Sequence, residues 1–235
     1  MRFSIIFIIC FAGYQLGLAQ TNGSLGTLGV NGSNTMSGTT SAYTGVRPTT
    51  KAHKLTRRPV IDGEVLADSA WSDIPAFGDL TQTQPYAGQP ISEMTEVRIC
   101  YDKENLYLSA VCHDKTPEKI IISDSRRDAS LDATDAFLFI LDTYKDGQNG
   151  FVFGTNPAGI EYDAQVDNEG QGSVNANRQQ GGRIGGINLN WDASWTVKTK
   201  VSAIGWSAEF AIPFRTLRYL SGKDQTWGVN FQRNI

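Results

Sequence analysis

The chain contains few of the residues on which metal and nucleophilic chemistry depend. Among its 235 residues there are three cysteines and two histidines, His53 and His113. This scarcity excludes a zinc site built from closely spaced cysteine and histidine ligands. The sequence also lacks the Gly-x-Ser-x-Gly elbow of serine hydrolases. Its glycine-rich stretch, Gly181–Gly186, lacks the Lys-Ser/Thr pair that a phosphate-binding loop requires.

An excess of positive charge is also missing. The formal net charge is −3, with 21 lysines and arginines against 24 acidic residues. Nucleic acids and anionic membrane surfaces are bound through concentrated positive charge, so the overall balance predicts that neither is a partner. Glycine is abundant, with 24 residues, and charged residues make up only 19% of the chain. This composition is typical of a turn-rich, all-β protein.

Long apolar runs are confined to the amino terminus. Phe3–Phe11 is almost wholly apolar, follows Arg2, and precedes small residues at Gly17 and Ala19. The run is shorter than the roughly 20 residues that a membrane-spanning helix needs, and the pattern is that of a secretory signal. We therefore expect residues 1–19 to be a signal peptide that is cleaved after Ala19. Export would bring the remainder to the periplasm, the outer membrane or the cell surface.

Residues 20–50 differ from the rest of the chain in composition. They are mostly glycine, serine, threonine and asparagine, with almost no charge. Such a segment cannot bury enough apolar surface to offset the entropy lost on ordering it, which predicts a flexible linker. Residues 51–235 are long enough for one domain with a substantial core. The final run, 226–235, stops within an extended pattern, so we expect the chain to be the front part of a longer protein.

Alternating apolar residues predict short strands throughout the domain. In Glu96–Asp114 the apolar residues alternate on both sides of a polar turn, Asp102–Asn105, which is typical of a β-hairpin. Asp135–Leu141 indicates a central strand buried on both faces, and Trp206–Ile212 alternates as far as Pro213. Further strands are expected at 151–155, 160–166, 195–201 and 227–231, and a single helical turn at 214–220. Many short strands separated by turns favour a β-sandwich.

The predicted hairpin also decides the state of Cys100 and Cys112. In the register that pairs Tyr101 with Leu106, the two thiols point to opposite faces of the hairpin. A shift by one residue would put them on the same face, but roughly 13 Å apart at the rise of a strand. Because neither register allows disulfide geometry, we expect two buried free thiols.

Five segments occur in an order that is specific when they are taken together. They are Pro59–Trp71 (PVIDGEVLADSAW), Glu96–Asp114 (EVRICYDKENLYLSAVCHD), Asp132–Phe153 (DATDAFLFILDTYKDGQNGFVF), Asn188–Val201 (NLNWDASWTVKTKV) and Gly205–Tyr219 (GWSAEFAIPFRTLRY). With them, residues 55–235 resemble a family 9 carbohydrate-binding module, a β-sandwich of the DOMON-like group. The resemblance implies an all-β fold, an antiparallel jelly-roll-like β-sandwich with few short helical turns.

The same resemblance implies function and partners. It implies carbohydrate binding, bound calcium in some members, and attachment to enzymes that degrade polysaccharides. In proteins of this type an outer-membrane β-barrel region follows the module, and we expect such a region C-terminal to this chain.

Aromatic residues are the natural sugar-binding groups, because the apolar faces of pyranose rings stack on flat side chains. Trp195, Trp206 and Trp227 lie in strand alternation and are expected in the core. Trp71 follows an Asp-Gly turn and is expected to fill one end of the sandwich.

Two aromatic residues are candidates for carbohydrate binding. Trp191, in the loop NLNWD, is the first candidate, and Tyr86, in a proline- and glycine-containing loop, is the second. The segment 115–134 contains no aromatic residue. In that respect the chain differs from family members that clamp a sugar between two loop tryptophans.

Acidic residues gather in one polar segment, where Asp128, Asp132 and Asp135 are candidate calcium ligands. Calcium takes six to eight oxygen ligands, largely from carboxylates and backbone carbonyls in loops. The spacing does not match an EF-hand. The alternative is that these aspartates cap turns or pair with Arg126 and Arg127.

These observations predict an exported carbohydrate-binding domain, non-catalytic by itself, linked to polysaccharide breakdown or uptake. Its partner would be a polysaccharide or oligosaccharide. Two alternatives remain open. One is a structural or assembly domain that precedes an outer-membrane barrel without binding sugar. The other is a glycoside hydrolase, which would need two carboxylates that converge in a cleft.

The signal pattern gives a direct prediction. Mass spectrometry of the exported protein should find Gln20 as the amino-terminal residue, because Gly17 and Ala19 place small side chains at the −3 and −1 positions. Recovery of the chain from the cytoplasm with Met1 intact would contradict it.

Overall fold

The computed structural model describes residues 4–9, 49–78, 80–168, 183–184 and 186–235. Its strands are β1 (Ser4–Ile9), β2 (Thr49–Lys51), β3 (His53–Lys54), β4 (Thr95–Tyr101), β5 (Asn105–His113), β6 (Ala136–Asp142), β7 (Gly150–Thr155), β8 (Tyr162–Val166), β9 (Arg183–Ile184), β10 (Ile187–Asn188), β11 (Thr196–Ser202), β12 (Gly205–Pro213) and β13 (Asp224–Asn234). A short helix, α1 (Ser69–Ser72), and two 3₁₀ turns, Pro117–Lys119 and Phe214–Thr216, lie between them. In the described ranges, no helix has the length and apolar character needed to span a membrane.

The strands form two sheets that pack face to face. Within the described residues the larger sheet has the order β2-β1-β13-β6-β7-β8-β10-β9, and the smaller has the order β11-β12-β5-β4-β3. The β1–β13 and β3–β4 pairs are parallel, and antiparallel pairing holds the rest of both sheets together. The predicted all-β sandwich is confirmed.

The β4–β5 hairpin has the first of the two registers considered from the sequence. Tyr101 pairs with Leu106, and Cys100 with Tyr107. Cys100 and Cys112 are both buried and free, as predicted. Burial raises the pKa of the Cys100 thiol far above its usual range and that of Cys112 to about 12. Both groups therefore remain protonated and unreactive at neutral pH.

The main core lies between the sheets and is rich in aromatic side chains. Trp206 and Phe210 of β12 point into it, as the alternation predicts. Phe210 stacks on Trp195 with ring centroids 5.8 Å apart, and it meets Phe139 of the opposite sheet edge-on at 5.1 Å. Because aromatic rings bury large areas, these contacts carry much of the energy that joins the two sheets.

A third layer covers the outer face of the smaller sheet. Val65, Trp71 and Ile74, around α1, pack there with Cys100 and Tyr107 of the hairpin. Trp71 is almost fully buried, but it lies on the outer face of a sheet, so its expected position at one end of the sandwich is wrong. The Asp-Gly turn before Trp71 does not indicate which surface of the sandwich the residue covers.

A buried carboxylate joins this outer layer to the sheet. Glu209 of β12 accepts hydrogen bonds from the backbone N–H groups of Asp62 (2.9 Å) and Gly63 (2.6 Å) and from Nε1 of Trp71 (2.6 Å). Its side chain is inaccessible to solvent. Burial raises the pKa of Glu209, and the three hydrogen bonds offset part of that rise. Three convergent donors are what an ionised carboxylate needs when it leaves water.

Gly63 has a steric reason to be glycine. Its φ is +92°, and a Cβ there would lie 2.5 Å from the backbone carbon of Thr199. Only glycine adopts this conformation at so close an approach without strain. The Asp-Gly pair of the sequence motif thus brings two N–H groups to the Glu209 carboxylate.

The amino-terminal strands lie at one side of the larger sheet. β1 pairs in parallel with Asp224–Val229 of β13 and antiparallel with β2. Residues 4–9 belong to the predicted signal peptide, so cleavage after Ala19 would remove β1 from the sheet. Thr49 and Thr50, the end of the predicted linker, belong to β2, and residues 20–48 lie outside the described residues.

The predicted helical turn at Phe214–Leu220 is shorter than expected. A 3₁₀ turn covers Phe214–Thr216 only, because Leu217 returns to an extended conformation (φ −93°, ψ 145°). The side chain of Leu217 then packs into the main core.

The Glu209 contacts predict the effect of removing one charge without changing shape. In Glu209→Gln the side-chain NH2 group faces at least one of three N–H donors, so a buried donor loses its acceptor. The variant should lose at least about 1–3 kcal/mol of unfolding free energy, measured by urea denaturation at neutral pH. Glu64→Gln is the matched control, because Glu64 is an exposed partner of Lys200 and should change stability by less than about 0.5 kcal/mol. Equal stability of the two variants would contradict the proposed role of Glu209.

Candidate functional site

Trp191 is less buried than the other four tryptophans. Trp71, Trp195, Trp206 and Trp227 are buried, with at most 6% of each exposed. The core positions predicted for Trp195, Trp206 and Trp227 are therefore confirmed. Trp191 alone is only half-buried and packs against the edge of the main core. It is the tryptophan with ring surface left for a ligand.

Two phenylalanines hold the Trp191 ring in place. The ring centroid lies 4.9 Å from that of Phe151, with the planes tilted by 39°, and 5.9 Å from that of Phe153, with an edge-on arrangement. Both phenylalanines are buried residues of β7. Since the ring already has a fixed orientation, a ligand that stacks on it would lose less entropy on binding.

Hydrogen bonds fix the chain that follows Trp191. Oδ1 of Asp192 accepts a hydrogen bond from Nη2 of Arg127 (2.7 Å). The next backbone N–H donates to Oδ2 of Asp163 (2.8 Å), and Nε1 of Trp195 donates to Oδ1 of the same carboxylate (3.1 Å). Arg127 also donates to Asp163, at 2.6 Å. The loop is thus anchored on both sides of its exposed residues.

Arg127 lies at the centre of an acidic cluster. It forms ion pairs with Asp128, Glu161, Asp163 and Asp192. Burial lowers the pKa of Arg127, but the surrounding carboxylates outweigh that effect and keep its pKa above the ordinary value. Burial raises the pKa of Asp163, whose side chain is only 1% exposed. In contrast, Asp192 is 81% exposed and Arg127 38%. Asp192, which follows Trp191 in the sequence, is therefore the most exposed carboxylate of this cluster.

Tyr86 is exposed and belongs to a different loop from Trp191. Its loop ends where β4 begins, and there Arg233 donates a hydrogen bond to the backbone oxygen of Met94. Arg233 shares a cross-strand row with Thr155 at the carboxyl end of β7. Trp191 packs on Phe151 near the amino end of the same strand. The two predicted carbohydrate-binding residues therefore belong to loops that join the sandwich at opposite ends.

The three predicted calcium ligands have separate partners. Asp135 is buried and accepts a hydrogen bond from the backbone N–H of Ile121 (2.7 Å). Asp132 accepts one from the hydroxyl of Ser130 (2.9 Å), and Asp128 pairs with Arg127. Over the described residues, no group of three or more His, Cys, Asp or Glu side chains is arranged to hold a metal ion. Calcium binding by these residues stays a prediction, and the geometry matches the alternative of turn capping and charge pairing.

Arg127 and Asp163 are the functional candidates that the sequence did not single out. Asp163 belongs to β8, and alternation along this strand places its side chain on the face that packs against the main core, where Trp195 donates to it. An acidic residue in such a position is a signal for a buried hydrogen-bond network. Its partners, however, lie about 30 residues or more away in sequence and depend on the fold.

Comparisons with known proteins give similarity at the level of structure only. No protein-family model and no curated protein matches the chain. A "putative carbohydrate-binding protein" from Bacteroides uniformis is 14% identical with a TM-score of 0.53, over 77% of this chain and 81% of that one. Two structures of a family 9 carbohydrate-binding module from Caldicellulosiruptor kristjanssonii, in complex with glucose and with cellotriose, are each 19% identical. Their TM-scores are 0.49 and 0.48, over 77% and 78% of this chain and 77% and 75% of theirs. The B. uniformis protein therefore shares the fold of this chain, the β-sandwich that the sequence motifs predict.

Proposed function

We propose that the chain is a carbohydrate-binding domain, non-catalytic by itself, which binds a polysaccharide or oligosaccharide at Trp191. The observation that carries this proposal is the partly exposed tryptophan whose indole ring packs on Phe151 and Phe153. The shared fold of a protein named for carbohydrate binding is consistent with it.

The chemistry around the ring suits a sugar. A pyranose presents an apolar C–H face that stacks on an aromatic ring, and its hydroxyl groups need hydrogen-bond partners at the rim. Asp192 accepts hydrogen bonds and Arg127 donates them, and the two are held 2.7 Å apart directly beside Trp191. One flat apolar platform with charged groups at its edge would fix both the position and the orientation of a sugar.

The same geometry favours binding over hydrolysis. A general acid in a glycosidase needs a raised pKa and contact with the scissile bond. Among the residues that the structure describes, burial raises the pKa of two carboxyl groups, Asp163 and Glu209. Both are almost completely buried, and their oxygens already accept hydrogen bonds from tryptophan and backbone N–H groups. Neither can reach a substrate.

We further propose that binding takes place outside the cytoplasm. The signal pattern of residues 1–19 supports export. A domain of this kind would hold a polysaccharide close to the machinery that degrades or imports it.

Substitution of Trp191 tests the proposal. Trp191→Ala removes the platform and should weaken binding to a polysaccharide by roughly 1–3 kcal/mol, the scale of one well-buried apolar side chain. Trp191→Phe keeps a flat ring and should retain part of the affinity. The measurement is affinity electrophoresis against a broad panel of soluble polysaccharides, followed by titration calorimetry with the tightest ligand.

Because Trp191 also contacts the core, a control for lost stability is needed. Val152→Ala removes buried methyl groups of β7 from a separate apolar cluster on the other face of the larger sheet and should lower stability while keeping affinity. Equal losses of affinity in Trp191→Ala and Val152→Ala would contradict the platform, as would a wild-type domain that retains no polysaccharide.

A further inference from the structure

A short basic segment contrasts with the acidic chain around it. Residues 51–58, KAHKLTRR, contain four lysines and arginines and one histidine, and no aspartate or glutamate occurs from residue 21 to residue 61. Since the whole chain has a net charge of −3, this positive charge is local.

The fold presents the segment along one side of the sandwich. β3 pairs with β4 at the edge of the smaller sheet, and Ala52, directly before β3, is buried in the main core. These contacts do not involve residues 1–19, whereas β2 joins the larger sheet only through β1 among the described strands. The segment thus crosses to the edge of the smaller sheet and is held there by Ala52 and β3, while Lys51 and Lys54 stay exposed.

A groove of about 820 Å³ lies between this crossing segment and α1. The polar side chains that line it are Lys51, His53, Lys54, Thr56, Arg57, Ser69 and Asp73. Its volume falls within the range of small-molecule sites, about 300–1,000 Å³. The groove therefore has room for several sugar units.

The cations of the groove are not equally available. Arg57 pairs with Asp68, at 3.3 Å, and donates to Ser69. Lys51 and Lys54 form no ion pair with any residue that the structure describes, and Asp73 is the one carboxylate in the lining. Two free ammonium groups next to a serine hydroxyl form a site for an anion that also carries hydroxyl groups.

We propose that this groove binds an anionic polysaccharide through its carboxylate or sulfate groups. The inference rests on the proposed carbohydrate binding and names a second site and a ligand class for it. The groove lies beside β3, at the edge of the smaller sheet opposite to β11, which follows Trp191. Its lining includes no Phe, Tyr or Trp on which nucleic-acid bases could stack.

Binding to charged and neutral polymers of similar size tests the inference. The exported chain should bind polygalacturonate, dextran sulfate or both, and this affinity should fall as sodium chloride is added, because exposed charges are screened by salt. The double variant Lys51→Ala, Lys54→Ala should bind about tenfold more weakly, since it removes two exposed charge contacts. The control Lys119→Ala, Lys223→Ala removes the same charge at exposed positions elsewhere and should stay within about twofold of the wild type.

The outcomes separate this site from the Trp191 site. Binding of only one acidic polymer identifies the group as carboxylate or sulfate and supports the inference. Equal affinity of the two double variants overturns it, as does equal competition by double-stranded DNA or by phosphatidylserine vesicles. Trp191-dependent binding of neutral glycans without binding of acidic ones overturns the groove alone. Lysine-dependent binding of acidic polymers, together with no Trp191-dependent binding of any neutral glycan, overturns the Trp191 site alone.

Discussion

The buried carboxylate of Glu209 is the contact on which the arrangement of this domain depends most. From the middle of β12 it holds the turn at Asp62 and Gly63 and the indole N–H of Trp71. These bonds fix α1 against the outer face of the smaller sheet, and α1 forms one wall of the basic groove. The next residue, Phe210, points to the other face and stacks on Trp195. One strand therefore supports the groove on its outer side and the chain that follows Trp191 on its inner side.

A second buried carboxylate, in the larger sheet, repeats the same chemistry. Asp163 accepts an indole N–H from Trp195 and a backbone N–H from the loop of Trp191, as Glu209 does with Trp71 and Gly63. Each carboxylate joins a tryptophan to a loop. A buried charge with fully satisfied hydrogen bonds restricts the loop to one position, because any other position leaves donors or acceptors unpaired. The two candidate binding surfaces lie beside these two anchored loops.

Sequence patterns predicted the features of the fold that depend on neighbouring residues in the chain, such as strands, turns and the face of a strand that is buried. The period of two predicted the β4–β5 hairpin and the core face of β12, because successive residues alternate sides of a strand, but it left two registers open for the hairpin. Glu209 could not be identified in this way, since alternation places it on the outer face and only the fold shows that α1 covers that face. The indole platform was predicted from loop position, but its support from Phe151 required the pairing of distant segments. Overall charge argued against anionic partners and concealed the cluster near Lys51 and Lys54, because an average carries no information about position.

The central claim is that a sugar binds on the exposed face of Trp191. Two-dimensional ¹H–¹⁵N NMR resolves the indole N–H signals of all five tryptophans, which can be assigned by substitution and followed during titration with the oligosaccharide of the tightest polysaccharide. The account predicts that the Trp191 signal shifts progressively to saturation, while the signals of the four buried tryptophans change little. It would be contradicted if Trp191 stayed unchanged at ligand concentrations that saturate binding.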